Sequence, residues 1–178
     1  MNRSTASDES RRGAALILDA LAAGSWIALT DACVAADGRA SIAWGVFSPS
    51  GLLATCGARV LPGLGRSSTD AECLACSEAG NELARMSAGR SSSFCDCLPA
   101  TQVLLGAAPA KTPAALEALA AWEACSPSST HRSLAWVPRD LAGPANDAAR
   151  KILGLPPQQR LKRPWSGWLE NLRLLALR

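Results

Sequence analysis

Among the fifteen acidic residues of this chain, four stand in contexts that could carry chemistry. Asp31 ends an apolar run, Trp26-Ile27-Ala28-Leu29-Thr30-Asp31. Glu72 lies in a helix-like stretch, Thr69-Asp70-Ala71-Glu72-Cys73-Leu74-Ala75. Asp96 ends Ser93-Phe94-Cys95-Asp96, and Asp147 opens Asn146-Asp147-Ala148-Ala149-Arg150 soon after Trp136-Val137-Pro138-Arg139-Asp140. Burying a carboxylate on an apolar strand is costly unless a partner offsets it. Clustered carboxylates repel one another, and divalent cations remove that repulsion. Mg²⁺ is hard, prefers oxygen ligands and keeps octahedral geometry. Two such ions roughly 3.5–4 Å apart can activate a water and stabilise the leaving oxygen of a phosphodiester. Asp31, fixed by a central strand, would be the best bridging ligand. Glu72 and Asp96 would complete one site and Asp147 the other, with Mn²⁺ as the substitute ion.

The elements that must position these side chains can be read from periodicity. Trp26–Val34 is short, apolar and bounded by turn residues, as a buried strand is. Ala40–Ser48 and Leu52–Leu61 are two more strands, separated by the turn Pro49-Ser50-Gly51, and the three form an antiparallel meander. Thr69–Ala88 is a helix with Glu72, Ala75, Cys76, Ala79, Leu83 and Met86 on one face. Arg90–Asp96 is a fourth strand. Pro99–Gly106 is a short helix, and Thr112 caps another that opens on Pro113. Arg132–Val137 is a fifth strand, and Pro144–Leu153 a helix with Asp147 in its first turn. The order β-β-β-α-β-α-α-β-α predicts an α/β fold: a mixed five-stranded sheet, three antiparallel strands followed by parallel ones, flanked by helices.

Strand-Asp, helix-Glu, strand-Asp, helix-Asp in this order resembles the ribonuclease H family over about residues 26–155. The resemblance implies catalytic, metal-binding roles for Asp31, Glu72, Asp96 and Asp147, two Mg²⁺ ions, and hydrolysis of the RNA strand of RNA·DNA hybrids. It implies hybrid contacts from the hydroxyl-rich loop Ser67, Ser68 and Thr69, where many members carry asparagines, and from Arg139. The chain departs from the family in having Ala32-Cys33 after the first aspartate and no histidine in the loop before the last one. Two other readings stand beside this one. One is a nuclease of the same fold acting on branched DNA or other RNA duplexes. The other is a degenerate member that binds nucleic acid without cutting it.

At 178 residues the chain suffices for one domain with a core. A net charge of +3 is compatible with a polyanionic partner but does not demand one. The apolar run Ala14–Leu18 is broken by Asp19 and too short to span a membrane. The seven cysteines are an odd number, read as reduced thiols of a cytoplasmic protein. Cys73-x-x-Cys76 and Cys95-x-Cys97 do not fall in the turns zinc ribbons use, so they read as small apolar packing residues. His131, the only histidine, precedes the fifth strand in a Ser-rich loop and reads as a surface residue. Residues 1–25 form a tail, polar and unstructured over 1–9, followed by a short helix from about residue 10. Residues 156–178 form a basic, then Trp-containing helical tail. In it Arg160, Lys162 and Arg163 could meet phosphates. Trp165, Trp168, Leu169, Leu172 and Leu175 form a stripe that docks on the domain or on the first helix, or else joins two copies of the chain.

Overall fold

The computed structural model describes residues 3–63, 65, 67–86, 88–125, 131–156, 165 and 167–177. Along the chain these give α1 (Arg3–Ala22), β1 (Trp26–Val34), β2 (Ala40–Phe47), β3 (Leu53–Val60), α2 (Ser68–Arg85) and β4 (Arg90–Cys95). There follow α3 (Leu98–Leu104), α4 (Pro113–Ala124), β5 (His131–Trp136), α5 (Gly143–Ile152) and α6 (Trp168–Ala176). The sheet order is β3-β2-β1-β4-β5. β1 pairs antiparallel with β2, and β2 with β3. β1 and β4, then β4 and β5, run parallel. This is the mixed sheet that the sequence pattern predicts.

Strand alternation divides the core between the two faces. Ile27 and Leu29 of β1, with Phe47 and Phe94, face α1, α5 and α6 and meet Ile17, Val137, Leu141, Trp168 and Leu172. Ala28, Ile42, Trp44 and Val46 face α2 and meet Ala71, Ala75, Ala79 and Leu83. The apolar stripe expected on the second helix is thus the one that packs on the sheet. Farther along that face, Cys73, Cys76 and Cys95 pack with Val103, Leu104, Ala118, Trp122 and Leu134. All seven cysteines are free thiols.

Helix ends follow their capping residues. Ser67 Oγ accepts from the Asp70 N–H at 3.1 Å, so α2 starts at Ser68, one residue before the expected start. Thr112 Oγ1 caps α4 through the Ala115 N–H, with Pro113 in the first turn as predicted. It also donates to Asp70 Oδ1 at 2.6 Å and ties the starts of α2 and α4 together.

Both ends of the chain differ from expectation or extend it. The first helix begins at Arg3 rather than near residue 10, so the polar stretch expected to be unstructured continues the helix. At the other end, Trp168 is 1% exposed, stacks on Phe47 at 4.8 Å between ring centroids and donates to the Leu141 carbonyl at 2.7 Å. α6 also packs against α1. A side chain at Gly45 would collide with the Trp165 ring, so β2 needs glycine there. Arg160, Lys162 and Arg163, and the Ser-rich segment before His131, lie outside the described residues. His131 itself is exposed and is the first residue of β5 rather than a loop residue. No helix among the described residues is long and apolar enough to cross a membrane.

Candidate active site

The parallel register builds the site. Thr30 of β1 pairs with Cys95 of β4, so the next residues, Asp31 within β1 and Asp96 just past β4, emerge side by side where the pairing of these two parallel strands ends. Ligand sites of open α/β sheets sit at the carboxyl ends of strands. Adjacent strands lie about 4.8 Å apart. Two carboxylates at that spacing repel by roughly 3 kcal/mol at an effective dielectric of 20. A cation or a proton can offset a term of that size inside a protein.

Both offsets are visible. Asp31 is fully buried, and its carboxyl is pushed up to about 7 by burial first and by the Asp96 charge second. Hydrogen bonds from Glu72, from Asn146 and from the Ala32 N–H pull it back in part. The Ala32 N–H donates to Oδ1 at 2.6 Å, while Oδ2 is buried with no hydrogen-bond partner. Glu72, on the buried face of α2, is held well above the usual carboxylate range by burial, then by Cys95, Asp31 and Asp96. In its protonated form it donates to Asp31. The Asp96 side chain is fully covered, with Oδ1 unpartnered and Oδ2 2.7 Å from Arg139 Nε.

Of the four expected carboxylates, Asp31, Glu72 and Asp96 thus converge. Asp147 is half-buried and lies beyond the first turn of α5, not within it, because the helix starts one residue early at Gly143. Asn146, which sequence reasoning passed over, is 4% exposed and hydrogen-bonds Asp31, with its Oδ1 unpartnered. Its signal in the sequence is weak: a single polar residue among small apolar ones, one place before the more conspicuous Asp147.

The cluster opens into a cleft of about 500 Å³ lined by Glu9, Ser68, Glu72, Asp96, Trp136 and Arg139, among others. Of the three hydroxyl residues expected to meet nucleic acid, Ser68 lines this cleft from the first turn of α2. Ser67 Oγ is engaged as the α2 cap, and the Thr69 hydroxyl bonds Cys97. Ser68 and Thr69 are therefore helical rather than loop residues, a consequence of the cap at Ser67. Arg139 reaches the cleft but pairs with Asp96. Trp136, whose Nε1 donates to the Asp96 carbonyl at 3.0 Å, and Glu9 of α1 line the cleft without having been anticipated.

Among solved structures, RNase H1 of the archaeon Halobacterium salinarum matches with a TM-score of 0.66 at 19% identity, covering 74% of this chain and 98% of that one. The fold is that of ribonuclease H. The N-terminal RNase H domain of a Mycobacterium tuberculosis protein, solved as a fusion with maltose-binding protein, gives a TM-score of 0.65 at 16% identity, covering 73% of this chain and 94% of that one. LC11-RNase H1, solved in complex with an RNA/DNA hybrid, gives 0.64 at 14% identity over 73% of this chain and 97% of that one. No family model and no curated protein matches the sequence. At these identities the likeness is one of fold, and the chain is a divergent example of the ribonuclease H architecture.

The residues present fit a hard divalent cation. Asp31 Oδ2 and Asp96 Oδ1 are buried oxygens without hydrogen-bond partners, on side chains that are fully covered. Buried oxygens left this way are unusual in proteins and point to a ligand.

Proposed function

We propose that this protein is a metal-dependent endoribonuclease that hydrolyses the RNA strand of RNA·DNA hybrids. The observation that carries the reading is the buried Asp31–Glu72–Asp96 cluster with its two orphaned oxygens, where the β1–β4 pairing of a ribonuclease H fold ends. Asp31, Glu72 and Asp96 are the ligands for Mg²⁺, or Mn²⁺ in its place, and α5 contributes through Asn146 and Asp147. When bound, a pair of such ions supplies water activation and stabilisation of the leaving oxygen. The chain supplies position. β1 and the Ala32 N–H hold the Asp31 carboxyl by Oδ1 and leave Oδ2 without a hydrogen-bond partner. α2 carries Glu72 to the same point, and Ser68 and Arg139 stand at the cleft to meet sugar and phosphate oxygens. Recognition of this kind reads 2′-hydroxyls on one strand and deoxyribose on the other, with little reading of bases. A cytoplasmic setting accords with seven free thiols.

The test is incubation of labelled RNA·DNA hybrid, duplex DNA and duplex RNA with the protein, with and without Mg²⁺. Metal-dependent cleavage confined to the RNA of the hybrid is expected. Equal cutting of duplex DNA points to a general or branched-DNA nuclease on this fold. Hybrid binding without cleavage points to a degenerate binder.

A further inference from the structure

The acidic cluster contains a sulfur atom. Cys95 is fully buried, and its Sγ lies 3.6 Å from Glu72 Oε2. One donor atom each from Glu72, Cys95 and Asp96 lie within 4.8 Å of one another. The Cys97 N–H points at the same sulfur from 3.4 Å, a donor suited to a thiolate. Asp96 contributes a carboxylate oxygen from a fully covered side chain whose Oδ1 has no hydrogen-bond partner. Two oxygens and one sulfur are a poor set for Mg²⁺, which wants oxygen alone. They are a good set for a thiophilic cation. Zinc holds sulfur at about 2.3 Å and carboxylate oxygen at about 2.0–2.2 Å, which across a tetrahedral angle places the two donors about 3.6 Å apart. The separation of Cys95 Sγ and Glu72 Oε2 already has that value.

We propose that Glu72, Cys95 and Asp96 form a mixed oxygen–sulfur site for a thiophilic divalent cation of the zinc class. Binding forms one metal–sulfur bond and two metal–oxygen bonds, and the thiol proton that now points at Glu72 leaves to solvent, together with the proton Glu72 carries when it donates to Asp31. A cation held there takes Glu72 and Asp96 out of the set that would serve Mg²⁺. The inference rests on the reading of those two carboxylates as metal ligands and adds a soft donor to them.

The experiment uses full-length protein carrying Cys56→Ser, which removes the exposed thiol. One equivalent of Co²⁺ is added and the near-ultraviolet thiolate-to-cobalt charge-transfer band is recorded, then Zn²⁺ is titrated in. A one-to-one band that Zn²⁺ bleaches, and that Cys95→Ser abolishes, is the expected result. A band that survives Cys95→Ser, or no band at all, overturns the proposal. X-ray absorption of the one-to-one zinc complex of the Cys56→Ser protein needs no change at Cys95. One sulfur at about 2.3 Å among oxygens is expected, and an oxygen–nitrogen shell or several sulfurs overturns the proposal. Mg²⁺-dependent cleavage without a thiolate band leaves the hydrolase standing and the soft site fallen. The band without cleavage of any substrate gives the reverse.

Discussion

Arg139 Nε lies 2.7 Å from Asp96 Oδ2, so the carboxylate cluster carries a cation of its own. The hydrogen bond to Asp96 and the Asp96 charge raise the guanidinium's affinity for its proton, with smaller contributions from Asp31 and Glu72. The guanidinium partly offsets the charge that a metal pair would neutralise, and it must share Asp96 with any incoming ion. Arg139→Ala is therefore expected to tighten Mg²⁺ binding about two- to fivefold, the range of a half-exposed ion pair. The same change should weaken hybrid binding and flatten its salt dependence by a slope of roughly 0.7–0.9 on logarithmic axes. Calorimetric metal titration and binding at several salt concentrations measure the two effects separately. Unchanged metal affinity would show that the arginine does not compete.

Asp31→Asn is expected to abolish cleavage while leaving the metal-free fold as stable as before or more so. Asparagine keeps the shape and removes a buried charge that Asp96 opposes. Millimolar Mg²⁺ should then raise the melting temperature of the wild type but not of the variant, since a ligand stabilises only the state that binds it. Near-wild-type turnover would remove Asp31 from the site, and an equal rise in both proteins would place the metal elsewhere.

Metal-free stability should fall as pH rises. Asp31 titrates near 7 in the folded protein against an ordinary value of 3.8, so the folded state binds the extra proton between these limits. The stabilisation is complete below pH 3.8 and is lost as pH passes through about 7. Glu72, raised by burial and its neighbours, acts in the same direction. Urea midpoints in chelator should therefore drop between pH 5 and 8, and the drop should be smaller in Asp31→Asn. Saturating Mg²⁺ should flatten or reverse the trend, because it binds the deprotonated carboxylates. A metal-free midpoint that rises over this range would contradict the cluster's electrostatics.

The terminal helix offers a test of packing. Trp168→Ala removes a ring that is 1% exposed, stacked on Phe47 and hydrogen-bonded to the Leu141 carbonyl. A loss of about 3–5 kcal/mol in urea unfolding is expected. A loss below 1 kcal/mol, the scale of a surface position, would mean that α6 is not part of the folded unit.

The sequence carried the sheet because the strands are short apolar runs with strong turn residues between them, and because Pro113 and Thr112 mark a helix start. Asp31 and Asp96 were legible for the same reason: Asp31 ends an apolar run within β1 and Asp96 directly follows β4, and a parallel pairing then sets them side by side. The phase of α5 was not legible. Its start at Gly143 has no side-chain cap, and small residues surround Asn146 and Asp147, so nothing local says which faces Asp31. The pairing of Arg139 with Asp96 and the approach of Cys95 to Glu72 join residues far apart in the chain, and no spacing rule encodes either. The stripe Trp168, Leu169 and Leu172 was visible, but its docking beside α1 depends on tertiary contacts.

One residue along a helix is a rotation of about 100°, so Asn146 and Asp147 cannot present equally to the cluster. Asn146 hydrogen-bonds Asp31, and its buried Oδ1 has no partner. Asn146→Asp keeps the side chain's size and replaces an amide by a carboxylate. Without metal, it sets another negative charge beside Asp31 and Asp96, so the variant should melt lower than the wild type at pH 8 in chelator, with less difference at pH 5. With metal, the added charge is an additional ligand, and Mg²⁺ affinity should rise about tenfold, corresponding to about 1.4 kcal/mol. Asp147→Asn is the companion variant. If Asp147 is instead the α5 ligand, that change lowers Mg²⁺ affinity while Asn146→Asp leaves it alone. Metal titrations of the two variants against wild type, followed by calorimetry, separate the cases. An unchanged Mg²⁺ affinity in Asn146→Asp would show that its contact with Asp31 positions the carboxylate without facing the metal.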